Sequence, residues 1–538
     1  MKRVVFLSFV LLALCACQPK NTPDPNAQKV LISSVSVTQG LDSIIVSFGQ
    51  NAQLDINRLD ETKFSLSPNT GFDYDASVQG TNLILALKQT LNYFTAYAFR
   101  VDSGYNLGVR IMDDFTHKFT TPYDPRPKFP AISDDSLLTL VQARTFRYFY
   151  DFAHPVSGLA RERNTSGDVV TTGGSGFGLA AFPVAVERGF ISRADALTHC
   201  TKVVNFLADQ AERFHGAYPH WLDGRTGKTI AFSTKDNGAD LVETAFLIEG
   251  LLVLRQYFSG ATAEETALRD KITAIWEGVE WTWFQQNRQN VLYWHWSPNY
   301  GWEMNMPIRG WNEALIVYVL AASSPAYSID KTVYTQGWAR NGAIRNNKKY
   351  YDILLPLGEE KGGPMFFAHY SFLGLNPMRL SDEYADYGEQ NTAHARINYA
   401  YSLGHRDQPA DSTQAHWGLT ASDIPNGYTA TSPTNDNGTT APTAALASMP
   451  YTPAESMAAL RYFYYTLGDK LWGEYGFYDA FNLPSRWFAR SYIAIDQGPI
   501  IVMIENYRSG LIWRLFMSCP DIQEGLRRLD MTYLPENG

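Results

Sequence analysis

Between residues 29 and 121 apolar side chains alternate with polar ones in short runs, whereas beyond residue 134 the apolar spacing lengthens to three and four. The first pattern belongs to half-buried strands and the second to amphipathic helices. In the first region the runs 44–48, 63–66, 82–87, 96–101 and 117–121 are separated by turns rich in Gly, Asn and Asp. Short strands at that spacing predict a small immunoglobulin-like β-sandwich over residues 29–121. Residues 122–133 are proline-rich and read as a semi-rigid linker. In residues 134–538 the pattern predicts helices near 135–153, 176–188, 193–213, 239–257, 263–285, 311–322, 329–341, 365–373, 381–403, 454–467, 498–515 and 520–530. Ser192-Arg-Ala-Asp195, Thr262-Ala-Glu-Glu265 and Thr452-Pro-Ala-Glu455 read as capping boxes at three of their starts. Long loops rich in Gly, Asn and aromatic residues, at 218–236, 294–310 and 417–443, separate the helices, and loops of that length in a compact domain carry function. The expected fold is therefore mainly α, an (α/α)6 barrel preceded by a small β-sandwich.

The helix beginning near residue 239 is the most informative. Counted at helical spacing, Glu243 shares a stripe with Phe246, Leu247, Gly250, Leu251 and Leu254, and the opposite stripe is also largely apolar. A carboxylate on a helix packed on nearly all sides needs a chemical reason, and catalysis is the reason it suggests. Two other apolar helices start with an acid: Trp311-Asn-Glu313 precedes 314–320, and Asp496-Gln-Gly-Pro499 precedes 500–504. Inner helices of a double barrel would bring such N-termini to one pocket, and paired carboxylates suit glycoside hydrolysis. Structural readings stand beside these. Asp496 could be an N-cap, Glu313 could bond backbone amides of its own first turn, Asp240 reads as the acidic partner of a capping box with Asn237, and Asp168 lies in a polar turn. Trp221, Trp296, Trp302 and Trp417 in the loops, with His369 and Tyr370, are candidate sugar contacts, since flat aromatic faces pack on the C–H faces of sugar rings.

Composition sharpens the choice of ligand. Aromatic residues make up 14% of the chain, and the formal net charge is −9 without any run of Lys or Arg. That balance argues against nucleic acid and against a polyanionic substrate, leaving a neutral ligand. Gly173-Gly-Ser-Gly-Phe-Gly178 matches neither a hydrolase elbow nor a dinucleotide fingerprint, and Asn435-Asp-Asn-Gly438 lacks the downstream Glu of a calcium loop. No Cys/His cluster has metal-ligand spacing, so neither metal nor cofactor is expected. At the N-terminus a basic Met1-Lys-Arg, an apolar run 4–13 and Leu14-Cys-Ala-Cys17 form a secretory signal over residues 1–17. Residues 18–28 follow as a polar tether. Whether Cys200 and Cys519 pair is not legible from spacing.

These segments resemble a known family. Residues 171–178, Asp240-Leu-Val-Glu-Thr-Ala245, Trp311-Asn-Glu313, His369-Tyr370 and Ala494-Ile-Asp-Gln-Gly-Pro499 are similar, in order, to the glucoamylase-like domain of glycoside hydrolase family 144, the β-1,2-glucanases. The resemblance covers roughly residues 134–529. It implies an (α/α)6 barrel, an inverting mechanism without a required metal, and β-1,2-glucan or sophoro-oligosaccharides as substrate. It also implies Glu243 as general acid, with Asp168 as first choice of base and Asp496 as second. The N-terminus resembles a bacterial lipoprotein signal with Cys17 as the acylated residue, and the absence of acids beside it points to the periplasmic side, with surface exposure open. The appended β-domain resembles those of family members from the Bacteroidetes that release sophorose from chain ends, which favours an exo mode.

Overall fold

The computed structural model describes residues 23–68 and 71–534. The segment expected to be a signal, 1–17, and its Cys17 lie outside the described residues. The chain divides into two compact units, 1–125 and 126–538.

The first unit is built of strands whose alternation buries one face. β1 (Lys29–Val30), β2 (Ile32–Val37), β3 (Ser43–Phe48), β4 (Phe64–Ser67), β5 (Tyr74–Gln79), β6 (Asn82–Leu87), β7 (Ala96–Val101), β8 (Gly104–Asn106), β9 (Val109–Ile111) and β10 (Phe115–Thr120) form three sheets, ordered β2-β3-β6-β5, β10-β7-β4 and β1-β9-β8. Pairing is antiparallel throughout except between β1 and β9. Ile44, Val46 and Phe48 of β3, Leu83 and Leu85 of β6, and Tyr97, Phe99 and Val101 of β7 meet in one apolar core. Every second residue of these strands points inward, as the period of two requires.

In the second unit the helices are α1 (Asp134–Tyr150), α2 (Thr172–Glu187), α3 (Arg193–Asp209), α4 (Leu241–Tyr257), α5 (Ala263–Glu277), α6 (Leu315–Ser323), α7 (Lys331–Val333), α8 (Tyr387–His405), α9 (Pro442–Leu446), α10 (Pro453–Arg461), α11 (Gly468–Leu471), α12 (Ala494–Arg508), α13 (Leu511–Met517) and α14 (Pro520–Arg528). The Ser192 and Thr262 caps form, each hydroxyl accepting the amide of the residue three ahead. Thr452 caps nothing: its hydroxyl bonds the carbonyl of Ser448. The pattern over 263–285 breaks at Gly278 into α5 and a short 3₁₀ segment, and that over 498–515 breaks where Gly510 turns left-handed at φ +69°. Residues 365–373 fold as two 3₁₀ turns, and α9 arises inside a stretch expected to be loop.

The glycines 173–178 explain themselves in the packing of α2. A Cβ on Gly176 would stand 2.2 Å from the Phe246 carbonyl oxygen, and one on Gly250 would stand 2.0 Å from the Gly176 carbonyl oxygen, so α2 and α4 touch backbone to backbone. On its other flank, a Cβ on Gly498 would stand 2.5 Å from Phe177 Cβ, which sets α12 equally close. Thus α2 is the post against which α4 and α12 register. At its first turn, Cβ atoms on Gly173 and Gly174 would meet Glu243 Oε2 at 2.6 Å and Ala494 Cβ at 2.8 Å. The same run of glycines therefore fixes the starts of both flanking helices. Cys200 and Cys519 are buried free thiols, so no disulfide joins them. Among the described residues no helix is long and apolar enough to cross a membrane.

Candidate active site

The starts of α2, α4 and α12 carry the chemistry. β11 (Val169–Thr171) pairs with β12 (Trp221–Asp223), which pairs with β13 (Thr229–Ile230), while β14 (Ala239–Asp240) pairs with β15 (His295–Trp296), placing His295 opposite Asp240. Asp240 caps α4 alone, without the partner expected in Asn237. Its Oδ1 accepts the amides of Val242 and Glu243 at 3.0 and 2.9 Å. Its Oδ2 lies 3.0 Å from His220 Nδ1 and 3.7 Å from His295 Nε2. Three residues into the helix, Glu243 Oε2 accepts the Gly173 amide at 2.7 Å, an orphan donor of the first turn of α2. Glu243 Oε1 faces His220 Nε2 at 3.9 Å. His220 therefore bridges Asp240 and Glu243 through its two ring nitrogens.

Charge explains the protonation this imposes. Burial alone would push His220 down, yet Glu243 and the hydrogen-bonded Asp240 lift it to about 9. The imidazolium in turn opposes the rise that burial imposes on Glu243, whose carboxyl still stands above its ordinary value. Asp236, buried beside His295 at 3.4 Å, is raised to about 7 by burial and then by Asp240, and its Oδ1 has no hydrogen-bond partner. Glu313, just before α6, is raised to about 7 by burial, against its own backbone amide, with Glu243 and Asp240 adding repulsion.

A second group of acids surrounds the start of α12. The N-cap there is Ile493, so Asp496 is not a cap. Asp496 is 1% exposed, its Oδ2 has no partner, and its Oδ1 accepts the Tyr370 hydroxyl at 3.5 Å. Burial, Asp479 and Asp423 hold its carboxyl well above the usual range, and Asp479 is raised to about 7 by burial. Asp479 Oδ2 accepts the Asp423 amide at 2.6 Å, and Asp423 is clamped by Arg163 Nη1, 3.2 Å from both oxygens, and by the Ser491 hydroxyl at 2.5 Å. Tyr370 joins the two groups of acids. Its ring rests on Phe177 of α2 and on Phe246, one turn below Glu243, with centroids 5.1 and 5.6 Å away.

The aromatic candidates divide. Trp221, half-buried, stands edge-on to His220 and 4.9 Å from the exposed ring of Phe232, forming a wall beside the histidine. Trp296 follows His295 in β15 and, with Trp302, borders the partly exposed Trp283. Trp417 is a core residue: fully buried, its indole N–H bonds the Glu455 carbonyl at 3.0 Å. His369 is likewise buried, bonded to the Ser448 hydroxyl and parallel to Tyr451, and burial lowers it to about 3. Asp168 is not gathered with the other acids. It sits before β11 with its side chain 44% exposed, and its oxygens are engaged by His154 Nε2 and Arg225 Nε, each at 3.1 Å. Sequence reasoning missed His220, His295, Asp236, Asp423, Asp479 and Arg163. His220, Asp236 and Asp240 place ligand atoms within 4.8 Å of one another, with His220 sixteen residues ahead of the Asp236–Asp240 stretch, a grouping that no local spacing shows.

The helical unit thus gathers two sets of buried carboxylates at its helix starts, with Trp221 and Phe232 beside the first. A family model described as "Putative glucoamylase" matches residues 305–520. The chain is 45% identical over 421 residues, 74% of its own length, to an exo β-1,2-glucooligosaccharide sophorohydrolase (non-reducing end) from Parabacteroides distasonis, and spans 58% of that relative's length. Two solved structures are similar over 75% of this chain and 99% of their own. One is a "putative glucoamylase" from Bacteroides uniformis, 56% identical with a TM-score of 0.73, and the other an endo-β-1,2-glucanase from Chitinophaga pinensis in complex with sophorotriose and glucose, 50% identical with a TM-score of 0.71. The chain belongs to this glucoamylase-like family.

Proposed function

We propose that the protein hydrolyses β-1,2-glucan or sophoro-oligosaccharides, and that Glu313 gives the proton to the leaving oxygen while Asp496 takes one from the attacking water. The observation that carries this assignment is the contrast between Glu313 and Glu243. Glu243, the acid implied by the family resemblance, already spends Oε2 on the Gly173 amide and faces an imidazolium with Oε1. Glu313 is half-buried and poised at about 7, so it is a carboxylic acid still able to donate near neutral pH. Glu243 and His220 then fix the sugar beside it, with Trp221 as a wall.

At the start of α12, Asp496 and Asp479 are too buried to hold two charges, and the pair keeps one proton and one charge. Burial and its neighbours raise Asp496 further than Asp479, so the resting proton lies on Asp496 and the charge on Asp479, and Asp496 passes that proton to Asp479 as it takes one from the water. Two carboxylates facing each other across a bound sugar with water on one side give inversion. The relatives' names support β-1,2-linked glucose as the substrate; one is exo and one endo, and we favour exo release of sophorose. We read the helical unit as an (α/α)6 barrel of glycoside hydrolase family 144, and the N-terminal unit as an immunoglobulin-like module. We read the protein as a lipoprotein acylated at Cys17, anchored in the cell envelope with the periplasmic side preferred.

The acid assignment is tested with an activated aryl β-sophoroside, whose leaving group needs no protonation. Glu313→Gln should lose glucan hydrolysis by 10²-fold or more, an order set by general acid catalysis, yet keep most of its rate on the aryl substrate. Equal losses on both substrates would return the role to Glu243.

A further inference from the structure

A hairpin carries one more side chain to the acids at the start of α12. Strands Ala421–Ile424 and Gly427–Ala430 pair antiparallel, with Asp423 directly opposite Tyr428. Residues opposite each other in such a pair point to the same face. Tyr428 therefore stands on the side of the hairpin where Asp423 meets Arg163 and Ser491. The hairpin is held in this place at both ends and in the middle. Thr431 donates its amide and its hydroxyl to the Thr420 carbonyl, and the Thr420 hydroxyl accepts the amide of Phe366, on the segment that carries Tyr370. Between them, the Asp423 amide bonds Asp479 Oδ2.

The Tyr428 side chain is 49% exposed, while the protein around it pushes its hydroxyl well above the usual phenol range. Asp496, then Asp479 and Asp423, add to that rise. A side chain both open to water and closely surrounded by protein lines a cleft. Among the described residues no hydrogen bond engages this hydroxyl. Tyr370 feels both Asp496 and Tyr428. Two phenols thus flank Asp496, Tyr370 at 3.5 Å and Tyr428 across a gap wider than a direct hydrogen bond. Polar groups set apart in this way are bridged by water.

Resting on the reading of Asp496 as base, we propose that Tyr428 positions the attacking water: Asp496 takes one hydrogen of that water and the Tyr428 hydroxyl oxygen accepts the other, which leaves a lone pair for the anomeric carbon. The bond from the water oxygen to that carbon forms as the glycosidic bond breaks. The leaving oxygen receives its proton from Glu313, and the water's proton goes to Asp496, whose own passes to Asp479. The hydrogen held by Tyr428 stays on the new hydroxyl of the sugar, so Tyr428 neither gains nor loses a proton.

The test compares Tyr428→Phe with Asp496→Asn on glucan and on the aryl β-sophoroside. Tyr428→Phe keeps the ring and removes a hydroxyl that bonds no other residue, so the melting temperature should not move. It should lower kcat about 10- to 10²-fold on both substrates with KM within about twofold, because a nucleophile out of place slows the reaction while binding is untouched. Sodium azide, a nucleophile with no proton to remove, should restore turnover of the aryl substrate in this variant and yield the α-configured sophorosyl azide. A natural kcat, a loss carried by KM, or a loss that azide leaves unrelieved would each overturn the proposal, and a loss in KM would make Tyr428 a sugar contact. If Asp496→Asn also kept its rate, the base assignment would fall with it; with Asp496→Asn inactive, only the placing of the water by Tyr428 would.

Discussion

Replacing His220 by Gln removes the one positive charge that His220 supplies between Asp240 and Glu243. His220 stands at about 9 against an ordinary 6.5, with its side chain 23% exposed. A raised histidine stabilises the folded state fully below its unfolded value and loses that stability as the pH climbs through its folded value. The window is therefore pH 6.5 to about 9, and the shift is worth about 3 kcal/mol at roughly 1.4 kcal/mol per unit. Asp236 and Glu313 are also raised, each to about 7, so their share is lost below the upper part of this window. What disappears above pH 7 is then chiefly His220's. All 13 tryptophans lie beyond residue 126, so tryptophan fluorescence follows the helical unit alone. Urea unfolding at pH 7.5 and pH 9.5, above the range in which Asp236 and Glu313 titrate, should show the natural protein losing about 2 kcal/mol across the interval, and His220→Gln, already weakened by a similar amount at pH 7.5, showing little further loss. A variant as stable as the natural protein at pH 7.5, with the same alkaline decline, would refute the bridge.

Other consequences are separable. Gly250→Ala forces a methyl to within 2.0 Å of the Gly176 carbonyl oxygen, and should cost about 1–3 kcal/mol or more, read as a lowered melting temperature; an unchanged melting temperature would contradict the backbone contact of α2 and α4. Asp168→Asn should stay within a few-fold of natural activity whereas Asp496→Asn falls by about 10²–10⁴-fold, measured as reducing ends from glucan; a larger loss in Asp168→Asn would restore it as the base. With Glu313 as the protonated donor at about 7, kcat/KM should decline on the alkaline side of neutrality, and Glu313→Gln should abolish that limb.

How much of this was legible in the chain depends on the distance over which each feature is encoded. The Ser192 and Thr262 caps involve neighbours three residues apart, and both form. Thr452 carries the same motif and fails, because its hydroxyl finds the Ser448 carbonyl of the preceding turn. Glu243 could be singled out because a carboxylate on an apolar helix is visible in one dimension, and the structure buries it as that stripe requires. His220 and Asp236 come from opposite ends of one long loop and His295 from the short strand β15, and they meet through the pairing of β14 with β15 and the seating of residue 220 against Thr172, a contact no local period announces. Asp423 and Asp479 were equally silent: each is an acid in a turn or short strand until Arg163, from 260 residues upstream of Asp423, closes on it. Trp417 shows the reverse error, an aromatic in a long loop that the fold takes into its core.

The central claim is tested most directly by incubating the protein with linear β-1,2-glucan and following the first product by NMR. Hydrolysis should appear with sophorose as the earliest product and its new reducing end in the α configuration, and Asp496→Asn and Glu313→Gln should suppress it. Binding of the glucan with no product formed, or a first anomer in the β configuration, would contradict the account.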